Sequence, residues 1–95
     1  MRVVGIDPGL SGAVAIINGT DSLIVIDMPT MTVERNGKSK RQVSASELAD
    51  IIMRCITEDT HVYVEKVSAM AGQGVTSVFS FGRSFGMIEG ILAAF

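Results

Sequence analysis

The sequence predicts an α/β fold with the element order βββαβα. Three features carry that expectation. Apolar runs of strand length occupy 2–7, 12–18 and 23–27, a capped amphipathic helix occupies 45–57, and a fourth strand at 60–66 leads through a glycine-bearing loop into a long apolar helix. Strands joined by tight turns pair antiparallel, whereas a strand reached through a helix returns parallel to its earlier neighbour. The sheet is therefore expected to be mixed, with the fourth strand beside the first.

Each element has a local reason. Residues 2–7 are a short apolar run closed by Asp7 and Pro8-Gly9, the composition of a buried strand meeting a turn. The second run, ending at Ile17, turns at Asn18-Gly19 into Leu23-Ile24-Val25-Ile26-Asp27, an antiparallel meander with hairpin-type turn chemistry. Met28-Pro29 ends it, and a polar segment follows through Glu34-Arg35-Asn36-Gly37-Lys38-Ser39-Lys40-Arg41, expected to be a basic loop.

Ser44-Ala45-Ser46-Glu47 matches a capping box, and Leu48, Ile51, Ile52 and Cys55 follow at helical spacing. The last helix is expected to be capped by Thr76 or Ser77. Phe81, Phe85, Ile88, Leu92 and Phe95 share one of its stripes, while Gly82, Gly86 and Gly90 recur every fourth residue along another. A glycine inside a helix costs about 1 kcal/mol relative to alanine, so three in register call for close backbone approach to the sheet or to another helix.

The bulk composition narrows the function classes. A chain of 95 residues is one domain or part of one, and at this size a fold buries only about 60–65% of its unfolded surface. Against that thin core, 47% hydrophobic residues is high, so apolar surface is expected either to meet a second copy or to be covered by further sequence. Gly90 to Phe95 stops inside an apolar helical pattern without a cap, so residues 1–95 are read as the N-terminal portion of a single longer domain. The net charge of −2 neither supports nor excludes a nucleic-acid partner, because local patches decide that question. Cys55 has no cysteine to pair with in the chain, which fits a reducing, cytoplasmic setting, and it is read as a small buried hydrophobe. Asp7, Arg83 and Glu89 interrupt the apolar stretches, so no membrane span is expected.

The chemistry centres on two acids. Asp7 ends the first strand and Glu65 stands at the end of the fourth, in Tyr63-Val64-Glu65. A carboxylate at the tip of a buried strand is expensive unless a cation or hydrogen bonds compensate it. If the two strands are neighbours, their ends bring both carboxylates within reach of one metal. Mg²⁺ suits such a pair, because it prefers oxygen ligands and completes its shell with water and substrate phosphate. The reaction this implies is phosphodiester hydrolysis. A purely structural reading would make Asp7 a turn residue and Glu65 an ion-pair partner of Lys66 or Arg2.

The motifs Val4-Gly5-Ile6-Asp7-Pro8-Gly9-Leu10-Ser11-Gly12 and Val64-Glu65-Lys66-Val67, the second followed by Gly72-Gln73-Gly74 and a Phe/Gly-rich helix, resemble those of RuvC-like Holliday junction resolvases, especially phage and bacterial members. The similarity spans nearly the whole chain. It implies an RNase H-like mixed sheet, truncated before its C-terminal strand and helix. It also implies a homodimeric crossover junction endonuclease that uses Mg²⁺, with Mn²⁺ able to substitute, and nicks branched double-stranded DNA symmetrically. Asp7 and Glu65 carry over as catalytic, metal-binding acids. The family completes its site with further acids on a C-terminal helix that this sequence lacks, so the chain alone is expected to bind metal weakly and fail to cut. Glu89 is no substitute, being read as a solvent-facing or interface charge.

Other residues follow from the same reading. Arg35, Lys38, Lys40 and Arg41 are candidate phosphate contacts, as is Lys66 beside Glu65. Gly72, Gln73 and Gly74 present backbone N–H groups ahead of a helix N-terminus, where a DNA phosphate would be favoured. Phe79 and Phe81 are read first as core and second as wedges against a junction base, and His61 as structural. The Gly82, Gly86 and Gly90 stripe is the expected dimer interface. Two other functions remain open: a nucleotide-binding domain of the actin-like or sugar-kinase type, which also opens with an Asp-x-Gly turn between strands, and a non-catalytic junction-binding domain.

Overall fold

The computed structural model describes residues 1–20, 22–65 and 74–95. Eight elements follow in order: β1 (Arg2–Ile6), β2 (Ala13–Asn18), β3 (Ser22–Asp27), β4 (Thr30–Arg35), β5 (Lys38–Val43), α1 (Ala45–Cys55), β6 (Thr60–Val64) and α2 (Val75–Ala93). Four strands form a mixed sheet in the order β3-β2-β1-β6. β2 runs antiparallel to both β1 and β3, and β6 lies parallel to β1 with Ile6 opposite Val64. The mixed α/β architecture and the parallel neighbour of the first strand are as the sequence predicts.

The core lies on one face of this sheet. Side chains alternate along a strand, so Val4, Ile6, Val14 and Ile16 point to the same side. There they meet Leu48 and Ile52 of α1, Ile88 of α2, and Met28 and Val43. Cys55 and Leu92 pack at the margin of that cluster, half-buried. The opposite face is apolar and uncovered: Ile17 is 42% exposed, Leu23 66%, Val25 60% and Tyr63 66%.

Four expectations need correction. The polar segment is not a loop: β4 and β5 form a separate two-stranded hairpin, with Arg35 opposite Lys38 and Val33 opposite Lys40. Its turn is Asn36-Gly37, both at positive φ (52° and 75°), the backbone of the two-residue turn that matches strand twist. Helix α1 ends at Cys55 instead of residue 57, although its predicted cap holds: the Ser44 hydroxyl accepts from the Glu47 amide at 3.4 Å. Helix α2 starts at Val75 on Gly74, which has no side chain to cap it, so neither Thr76 nor Ser77 is the cap. Finally, Gly82, Gly86 and Gly90 are exposed, and a Cβ built on any of them would meet nothing within 4 Å. The stripe does not approach the sheet or α1. The aromatic stripe of α2 is also only partly buried, with Ile88 at its centre and Phe95 in solvent.

No helix among the described residues is long and apolar enough to cross a membrane.

Candidate functional site

The site forms where β1 and β6 end side by side. The Asp7 amide donates to the Ala13 carbonyl at 2.9 Å, and the Glu65 amide donates to the Ile6 carbonyl at 3.0 Å. Both residues thus extend their ladders one step past the assigned strands. Register partners in parallel strands point to the same side, and adjacent strands lie about 4.8 Å apart. Asp7 and Glu65 are therefore neighbours at one edge of the sheet, on the side away from the core.

The turn after Asp7 is built to hold it. The Asp7 Oδ1 accepts from the Gly9 amide at 3.3 Å, an Asx-type bond, and Oδ2 has no hydrogen-bond partner among the described residues. The Gly12 amide closes the turn on the Gly9 carbonyl at 2.9 Å, and the Met28 amide ties the Gly12 carbonyl to the start of the next segment at 3.0 Å. Pro8 is fully buried beneath. Gly12 is obligatory: a Cβ there would overlap the Asp7 carbonyl oxygen and press on the Asp7 carbonyl carbon and the Gly9 oxygen. In this motif the glycine exists to let the chain return against the residue that carries the carboxylate.

One expectation about these acids fails. Asp7 and Glu65 are both exposed, so burial imposes no cost that a cation must offset. What makes them a candidate metal site is their juxtaposition and their hard oxygen donors, with no sulfur or imidazole ligand beside them. Among the described residues no group of three or more His, Cys, Asp or Glu side chains is placed to hold a metal. Two carboxylates fit the partial protein shell typical of Mg²⁺, which keeps water and phosphate as its remaining ligands.

Asp27 was missed by sequence reasoning. It ends β3 opposite Ala13, on the same side of the sheet as Asp7. It stands two strands from Asp7, about 10 Å away, too far to share an ion with it directly. The signal was present, since Ile24-Val25-Ile26-Asp27 repeats the apolar-run-then-Asp pattern of β1.

The hairpin overhangs this edge and divides its cations. A cleft of about 620 Å³ separates the Pro8–Ser11 turn from the Ser39–Arg41 stretch of β5 and from Ser80, Phe81 and Ser84 of α2. Lys40 and Arg41 thus come close to the Asp7 turn, and an Arg41 Nη donates to the Thr30 hydroxyl at 3.4 Å. Arg35 and Lys38 line an adjoining cleft, which shares Lys40 and Ser80 with the first. Arg83, which the sequence reading left without a role, donates to the Gln42 side-chain oxygen at 3.1 Å and joins α2 to β5. Gly74 is exposed at the start of α2. Lys66, Gly72 and Gln73 lie outside the described residues. His61 is exposed on β6, and Glu89 faces solvent as expected.

No protein-family profile matches the chain, and a search of curated proteins finds no match. The functional reading therefore rests on the residues and their geometry.

Proposed function

We propose that the chain is part of a Mg²⁺-dependent endonuclease of RNase H-like fold that cleaves phosphodiesters in branched DNA as a homodimer. The observation that carries this reading is the pairing of Asp7 with Glu65 at adjacent strand ends, set by the Glu65 amide on the Ile6 carbonyl. A divalent ion bound there supplies an activated water and charge stabilisation at the leaving oxygen. The protein's own contribution is positional. Asp7 is oriented by the Gly9 amide, and Gly12 lets the turn close behind it. Lys40 and Arg41 stand across the adjoining cleft, where the DNA backbone would pass. Further oxygen ligands come from water, substrate phosphate or residues outside those described.

The homodimer is supported by the open glycine stripe of α2. Three glycines in register carry a helix-propensity cost that nothing among the described residues explains, and a helix from a second copy fits that surface.

The test is nick formation on a labelled synthetic four-way junction with Mg²⁺ or Mn²⁺, by the chain and by the complete product of its gene. Nicking that disappears in Asp7→Asn and in Glu65→Gln is the expected result. ATP turnover without nicking, or nicking indifferent to both substitutions, rejects the reading.

A further inference from the structure

The hairpin has a second positive surface, in a cleft that adjoins the one beside the Asp7 turn and shares Lys40 and Ser80 with it. Its cross-strand register puts Arg35 directly opposite Lys38 and Lys40 opposite Val33, so three cations share one face. Across from that face stands Arg83, held by its hydrogen bond to Gln42. Together they line a cleft of about 210 Å³ between the hairpin and the first half of α2, and every charged residue lining it among those described is positive. Like charges directly opposite in a ladder destabilise it, so this concentration is unfavourable in the free protein. Neither ion pair among the described residues relieves it: one joins the Met1 amino group to Asp59, the other Arg54 to Asp50.

The same cleft holds Phe79, which is 72% exposed. An exposed phenylalanine beside four cations has no packing reason among the described residues. A ligand that is both anionic and flat satisfies both features at once. Nucleic-acid strands have that combination when a base is out of the duplex: phosphates for the cations, a π-face for the ring. The Gln42 amide, whose oxygen already accepts from Arg83, still has N–H donors beside the cleft.

We propose that the cleft between the β4–β5 hairpin and α2 binds an unpaired nucleotide, with Phe79 stacking on its base and Arg35, Lys38, Lys40 and Arg83 holding the flanking phosphates. The inference rests on the nucleic-acid reading given above and adds a single-strand subsite to it, distinct from the carboxylate edge. A branch point is where a junction offers unpaired or easily unpaired nucleotides.

The experiment measures binding alone, by fluorescence anisotropy in EDTA, so that metal and cleavage play no part. The probes are a labelled oligothymidylate of about ten nucleotides, within the site sizes that such grooves cover, and a blunt duplex of the same length. Phe79→Ala weakens single-strand binding about tenfold or more, the loss typical of one stacked base, and leaves duplex binding unchanged. Phe79→Trp retains the affinity. Replacing both Lys38 and Lys40 by Gln lowers the slope of log affinity against log salt by about 1.4, two single-strand phosphate contacts. The inference is overturned if Phe79→Ala binds the strand as tightly as the unaltered chain, or if polyglutamate displaces the strand as well as unlabelled strand does. Strand binding through Phe79, together with a complete gene product that never nicks a junction, supports the subsite and rejects only the endonuclease reading.

Discussion

The Glu65 amide donates to the Ile6 carbonyl at 3.0 Å, one step beyond the last paired residues of β1 and β6. That bond fixes the height of Glu65 relative to Asp7, since each follows a register partner. It makes the pair's geometry a property of the backbone ladder, independent of side-chain packing. Substituting either acid should therefore affect metal binding and little else. Asp7→Asn and Glu65→Gln are each expected to weaken Mn²⁺ binding by at least about tenfold, the smallest effect usual even for residues that only support metal ligands. Unfolding free energy should stay within about 0.5 kcal/mol, because both side chains are exposed. Calorimetric titration with Mn²⁺, alongside urea melts, reads both quantities. Unaltered Mn²⁺ affinity in both variants would remove the site.

Gly12→Ala is expected to be far more damaging than its size suggests. The added methyl overlaps the Asp7 carbonyl oxygen, a backbone atom that cannot rotate away. Relief requires opening the turn and giving up the Gly12–Gly9 and Met28–Gly12 hydrogen bonds. A loss on the order of 3 kcal/mol is expected, seen as a lower urea midpoint. By contrast, Gly5→Ala meets no atom within 4 Å and should change stability little.

Ile88→Ala tests how α2 is held. Among the described residues of that helix Ile88 is the one fully buried side chain, packed with the apolar face of the sheet and with α1. Removing it should cost about 2–5 kcal/mol, a large share of the roughly 5–10 kcal/mol expected for a chain this size. Amide exchange should show α2 losing protection before β1 and β2. Equal loss across all elements would mean that α2 and the sheet unfold as one unit.

Gly86→Leu separates the helix's own stability from its proposed contact. The glycine faces open space, and leucine is the better helix former by about 0.8 kcal/mol. The folded chain should therefore melt at a slightly higher temperature. If α2 packs against a second copy through the glycine stripe, the same change should shift the sedimentation coefficient to that of a monomer. A stabilised variant with an unchanged oligomeric mass would exclude the stripe as the interface.

The alternation of apolar runs and turns was enough to read β1, β2, β3, β6 and both helices, because each carries a run of apolar residues that is legible locally, whether it faces the core, as in β1 and β2, or stays exposed, as in β3. The Ser44 cap was legible for a similar reason: a hydroxyl and a glutamate three residues on satisfy the first turn without outside help. The hairpin was not legible. Lys-Ser-Lys-Arg-Gln carries no apolar alternation, since β4 and β5 pair only with each other and expose most of their side chains. Only Asn36-Gly37 hinted at it. The start of α2 was misread because Gly74 caps by conformation alone, whereas Thr76 and Ser77 carry the expected capping groups.

The amino-acid order by itself determined β1, β2, β3, β6 and the two helices, and that the strand after α1 returns beside β1, because helix crossovers restrict how a chain can re-enter a sheet. Tertiary structure alone decided that Asp7 and Glu65 stand in solvent, that the glycines of α2 face outward, and that the hairpin's cations line two adjoining clefts. Those outcomes depend on which surfaces remain uncovered once every element has docked. Coverage is a relation between distant segments, and the spacing within any one of them does not encode it.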